Sequence, residues 1–395
     1  MYQKAVAIKQ KQADASPSVS QLQDDLAKQY NNIANALGRT GRIAEAVVSL
    51  HRAVAIWQRA ADDNPAVTSL QNNLAFGLNG IANLLVQKGR PIEAMEALTK
   101  ARPILRKLAD TDPSGFRSAR NLALNYTHTG ELLLQVGEIR EAIAWFDQAL
   151  VIHERIAESF PGVSELQAGL AESLTNVGWS LWKGGRPAEA LARYQRERTA
   201  WQRLLKAEAA NPYYRDRLAN CETNIAAACT KVGRLAEAGA CCDRAIAIRA
   251  DLVKGQPTNE SYYHGMAESL VRSGCVQHAT GNAEGAAADW RSATALYASH
   301  LPPGGEEAHF RACCLASLAG LVGAKGSGVS GVEGTAAAEE AMAILRRAVA
   351  GGYRDIGLFR VESGLDSLRS RDDFRLLMMD LAMPAEPFAP PQSIP

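Results

Sequence analysis

Gly41, Gly89, Gly137, Gly185, Gly233 and Gly281 follow one another at a constant spacing of 48 residues. Each stands in the same phrase, seen as Gly41-Arg42-Ile43-Ala44-Glu45-Ala46 and again as Gly185-Arg186-Pro187-Ala188-Glu189-Ala190. A strict period of this size constrains the fold more than any composition could. It specifies an array in which one supersecondary unit buries its apolar face on the next.

Registered on that period, the columns acquire physical meaning. Ala27, Ala75, Ala123, Ala171, Ala219 and Ala267 form one column; Ala46, Ala94, Ala142, Ala190, Ala238 and Ala286 form another. An obligatory alanine marks two helix backbones too close for a larger side chain. Leu22, Leu26, Tyr30, Ile33 and Leu37 step by three and four, as do Ala46, Leu50, Ala53, Ile56 and Ala60. That is the stripe of two amphipathic helices per unit. The glycine between them suits the left-handed residue that ends a helix, so each unit reads as an antiparallel pair. Pro17, Pro65, Pro113 and Pro161 punctuate the units, while Pro212 comes three residues late and predicts an irregular fifth junction.

These columns resemble the tetratricopeptide repeat: a small residue (Ala34, Ala82, Gly130, Gly178, Ala226, Gly274), the glycine turn, then alanine, a leucine or aromatic, and alanine again. The resemblance spans roughly residues 1–300. It implies an all-α, right-handed superhelical solenoid of antiparallel helix pairs whose first helices line a concave face. The family's usual period is 34, so the helices here are expected to be about two turns longer. Glu197 replaces alanine in the fourth unit and predicts looser packing there.

The expected boundaries are 1–17 for the second helix of a truncated repeat and 18–304 for six helix pairs. An irregular pair over 305–351, a capping segment over 352–383 and a proline-rich disordered tail over 384–395 complete the chain. The first assignment rests on Tyr2, Ala5, Ala7 and Pro17, which register with Leu50, Ala53, Ala55 and Pro65. It reads the chain as part of something longer and its first helix as a route to self-association. The insert Gly323–Gly334 is expected to be mobile. The ending, with Gly352-Tyr353-Arg354-Asp355, Leu365-Asp366-Ser367-Leu368-Arg369 and Asp373-Phe374, resembles the close of repeat tails on large bacterial serine/threonine kinases.

Catalysis is not expected. Val6-Ala7-Ile8-Lys9 spells a kinase lysine strand but occupies the helical columns of Val54-Ala55-Ile56-Trp57. Gly326, Gly328 and Gly331 follow no strand, and Tyr214-Arg215-Asp216 lacks the histidine of a catalytic loop. No metal or cofactor site is expected. Seven cysteines lack zinc spacing and read as reduced thiols of a cytoplasmic protein. With 43 basic and 42 acidic residues the net charge is +1, which points to no nucleic-acid partner, and no apolar run spans a membrane.

The functional signal is a polar ladder on the first helices. Asn31 and Asn79 stand in one column, and Asn32, His128, Asn176 and Asn224 in its neighbour. Asn35, Asn83, Glu131 and Trp179 form a third, and Arg39, Gln87, Gln135, Lys183 and Lys231 a fourth. Asparagine is a poor helix former, and its amide matches the backbone of an extended peptide. The alternative is a merely solvated face. Trp179 and Trp182 beside Lys183 are the candidate aromatic anchor. On this reading, replacing Asn31, Asn35, Asn79 and Asn83 together by alanine removes partner binding without lowering the melting temperature. Gly80 and Leu124 stand where a carboxylate clamp needs polar residues, which disfavours chaperone-tail partners.

Overall fold

The computed structural model describes residues 2–16, 19–111, 116–300, 305–353, 359–360 and 362–382. Pro17, Pro113, Arg354, Asp355 and the expected tail 384–395 lie outside the described residues. Among the described residues every regular element is helical. After α1 (Tyr2–Ala15) the chain alternates first and second helices. These are α2 (Ser20–Arg39) and α3 (Ile43–Asp63), α4 (Thr68–Gln87) and α5 (Pro91–Thr111), α6 (Phe116–Gln135) and α7 (Ile139–Ser159). Next come α8 (Ser164–Lys183) and α9 (Pro187–Ala207), α10 (Pro212–Lys231) and α11 (Leu235–Gly255), α12 (Glu260–Ala279) and α13 (Ala283–His300). The closing elements are α14 (Gly305–Gly320), α15 (Gly331–Ala350), a 3-10 turn (Ser363–Leu368) and α16 (Asp372–Ala382). The chain divides within α9 into two compact units, residues 1–200 and 201–395, a division that no composition shift in the sequence announces.

First helices α2, α4, α6, α8, α10 and α12 have 20 residues each, which is about 30 Å at 1.5 Å per residue. Each repeat glycine ends one with a positive φ, between 72° at Gly89 and 87° at Gly137. The residue after it donates its N–H back five positions: Arg42 to Leu37, Arg90 to Leu85, Arg186 to Leu181. This is the Schellman closure, and it satisfies carbonyls that the helix end would orphan. Both alanine columns are fully buried in all six pairs.

The small column responds to its partner. Where the facing second-helix residue is Phe146, Tyr194 or Trp290, the small residue is Gly130, Gly178 or Gly274, and an added Cβ would collide with the ring. Where it is Leu50, Leu98 or Cys242, the small residue is Ala34, Ala82 or Ala226. Volume is conserved across the contact, as dense packing requires.

Three expectations are corrected. The fifth junction keeps its register: α10 starts at Pro212, 48 residues after α8, with Asn211 capping the N–H groups of Tyr213 and Tyr214. Proline has moved from the turn to the first helical position, where its missing N–H costs nothing. The packing around Glu197 is closed, since Tyr194 and Glu197 are 1% and 2% exposed. The glycine-serine insert is folded back onto the second unit, with Ser327 and Val329 buried. Ser327 Oγ donates to the Leu321 carbonyl, and Ser330 Oγ caps α15 by accepting the Glu333 N–H.

Candidate partner-binding face

In the first unit the first helices of successive pairs approach one another more closely than the second helices do. Their shared face therefore lies on the inside of that stack. Along each of them, positions seven and eleven residues beyond Lys28 fall on one stripe. The structure leaves that part of the stripe open in four successive helices. Asn35 and Arg39 on α2, Asn83 and Gln87 on α4, Glu131 and Gln135 on α6, and Trp179 and Lys183 on α8 are all exposed. Trp179 stacks on Trp182 with centroids 5.3 Å apart and planes at 10°, and Lys183 Nζ lies 5.3 Å from the Trp179 centroid. A tryptophan held this way, 41% exposed, offers a large rigid surface at small entropic cost.

Glu131 is reachable by water but hemmed in by neighbouring helices, and that desolvation raises its carboxyl to about 7. His128, one turn earlier, is half-buried with an Nδ1 that meets no hydrogen-bond partner, and burial lowers it to about 4. It is a neutral imidazole at physiological pH.

Asn31 and Asn176 are half-buried and Asn32 is exposed. Asn79 departs from the expectation: it is fully buried and faces its neighbouring helix. Its Nδ2 donates to the Asn121 carbonyl at 3.0 Å, and its Oδ1 accepts from Asn125 Nδ2 at 2.8 Å. Asn121 Nδ2 in turn donates to Asn72 Oδ1. These amides bind α4 to α6 and are not free to meet a partner, so the four-asparagine substitution would also attack the fold. Asn224 and Lys231 stand on α10 in the second unit, half-buried and exposed respectively.

Sequence reasoning missed Phe76, which is 39% exposed on α4 one turn before Gly80. The signal was there: Lys28, Phe76, Leu124 and Glu172 occupy the column that opens the same stripe. Phe76, Leu124 and Trp179 give the face an apolar component beside its amides.

The kinase-like strings fall in α1, in the turn before α15 and in α10. Among the described residues no cluster of histidine, cysteine and carboxylate could hold a metal ion. Cys229 and Cys242 are core residues; burial pushes the Cys241 and Cys242 thiols up to about 12 and leaves them unreactive.

Residues 26–66 match the model of the tetratricopeptide repeat family. No curated protein matches the chain. Among solved structures, BtubC from P. vanneervenii is 20% identical with a TM-score of 0.51, over 65% of this chain and 91% of that one. Apo RapI is 11% identical with a TM-score of 0.56, over 96% and 97%. A signal transduction ATPase with a tetratricopeptide repeat sensor, from Pyrococcus horikoshii, is 15% identical with a TM-score of 0.57. That alignment covers 84% of this chain and 45% of the other. At these identities the likeness is one of fold: an all-helical solenoid of tetratricopeptide-like pairs.

Proposed function

We propose that this chain is a non-catalytic interaction scaffold that takes an extended peptide or protein segment on the first-helix face of residues 1–200. The observation that carries this reading is the open stripe repeated on four successive helices, amide-rich and ending at the stacked Trp179–Trp182 pair. A face required only for hydration has no use for an exposed tryptophan and phenylalanine. Amides engage peptide backbone groups, and the aromatic residues supply the anchors. Peptides selected from a random library against the full chain test this. Trp179→Ala and Asn83→Ala should each weaken the selected peptides by about tenfold at unchanged melting temperature. Peptides indifferent to both substitutions would refute it.

The second reading, a regulatory tail of a serine/threonine kinase, rests on the resemblance of the closing segment. A kinase frame continuous with the Met1 codon would support it and a stop codon there would remove it. Self-association through α1 is favoured by a groove of about 760 Å³ between α1, α2 and α3, lined by Gln10, Tyr30, Arg52 and Ile56. A mass in sedimentation that stays monomeric at all concentrations would exclude it.

A further inference from the structure

Between the second and third pairs, α5 carries Arg102 and Arg106 one turn apart, and neither meets a carboxylate among the described residues. The Arg102 guanidinium lies 4.3 Å from the Trp145 ring of α7. It donates through Nε to Asn125 Oδ1 at 3.1 Å and through Nη2 to Thr129 Oγ1 at 3.0 Å. Arg106 Nε donates to the Tyr126 hydroxyl at 2.9 Å, with its guanidinium 5.7 Å from that ring. Asn125 is itself fully buried and fixed by Asn79 and the Leu98 carbonyl, so Arg102 is held by neutral groups that are themselves held.

Two like charges at this spacing oppose each other. Burial first, then the Arg106 charge, weakens the hold of Arg102 on its proton. The fold does not require this arrangement. In the other junctions the Arg102 column reads Val54, Leu150, Arg198, Ile246 and Thr294, and the Arg106 column Gln58, Glu154, Gln202, Ala250 and Ala298. The Trp145 column reads Ser49, Ala97, Arg193, Cys241 and Asp289. No other junction has two arginines with an aromatic residue, and equivalent helices pack without them.

We propose that Arg102, Arg106 and the Tyr126 hydroxyl form a binding site for a phosphomonoester dianion. Each guanidinium keeps both Nη groups or one of them for a ligand, and Tyr126, accepting from Arg106, keeps its own proton to donate. Two guanidiniums one turn apart, with the Arg106 charge felt at Arg102, suit a dianion, whereas one fork alone already satisfies a carboxylate. The phosphoryl group is supplied free in solution or on a phosphorylated side chain.

Calorimetric titration of the full chain at constant ionic strength tests the site, with phenyl phosphate, a phosphoserine peptide, sodium phenylacetate and sodium chloride as probes. Phenyl phosphate should bind, the phenylacetate carboxylate and chloride should not, and Arg106→Gln should weaken binding by about tenfold or more. Arg106 is exposed, so this variant should keep the parent melting temperature; Arg102→Lys, which retains charge but loses the fork, should weaken binding as well. Tighter binding of the phosphopeptide assigns the source to a phosphorylated protein, and equal binding assigns it to a free phosphate ester. No heat with either phosphate probe, equal response to phenylacetate or chloride, or undiminished binding by Arg106→Gln would each overturn the proposal.

Discussion

Asparagine serves two purposes in the same helices, and only its neighbours distinguish them. Asn83 projects to water, whereas Asn79 is sealed between α4 and α6. Asn79→Ala takes one of two acceptors from the buried Asn125 amide and the side-chain donor from the Asn121 carbonyl, and should cost about 1–3 kcal/mol in chemical denaturation. Asn83→Ala should stay within about 0.5 kcal/mol. The sequence column could not separate them, because burial at position 79 is set by Asn121 and Asn125 more than forty residues away. The glycine turns, by contrast, were legible, because the cause is local. Gly89 has a φ of 72° and open space around it, so Gly89→Ala adds no clash and tests backbone conformation alone. It should destabilise by about 1–2 kcal/mol. Protonation follows the same logic of burial. His128 and His153 are both lowered to about 4 by desolvation, with Arg120 also acting on His153. The unfolded chain therefore binds more protons between about 6.5 and 4, and stability should fall as pH falls through that window. Glu131, raised to about 7, acts in the opposite sense: it favours the folded state below about 4.5, and that contribution is lost as pH rises through 7. Its exposure screens it, so the histidines should dominate. A melting temperature unchanged from pH 7 to pH 4.5, with no gain from His153→Phe at the lower pH, would count against this account.

Between elements, complementarity of volume holds each pair together. Gly178 admits the Tyr194 ring so closely that an alanine Cβ would come within 2.5 Å of it. Gly178→Ala should therefore destabilise by about 1–3 kcal/mol despite alanine's helix propensity. Tyr194→Leu, which copies the Ala82–Leu98 pairing, should make the same alanine tolerable. A double-mutant cycle should give a coupling of about 1 kcal/mol or more favouring the double variant, and strict additivity would show that the column does not set the fit. This relation was readable as a column of small residues, though its dependence on the facing ring required both helices in place. The glycine-serine insert was misread for a related reason. Composition suggested mobility, but Val329 buries itself and Ser330 caps α15, contacts that composition does not report.

At the scale of the whole molecule, repetition made the fold legible and hid the function. The period fixes where helices start and end. A binding face resides in what departs from the period: Phe76 where other copies have lysine, leucine, glutamate or asparagine, and Trp179 where they have asparagine, glutamate, alanine or cysteine. The Arg102–Arg106–Trp145 cluster, between the second and third pairs, is a departure of the same kind. The central claim is that partners meet the first-helix face of residues 1–200. Site-specific photocrosslinking tests it most directly, with the reactive side chain placed at 83, 87 or 131 on that face and at 99 or 148 on exposed second-helix positions. The account predicts one common partner adduct from the first set, absent from the second and lost on Trp179→Ala. Adducts formed equally from both sets, or only from the second-helix positions, would contradict it.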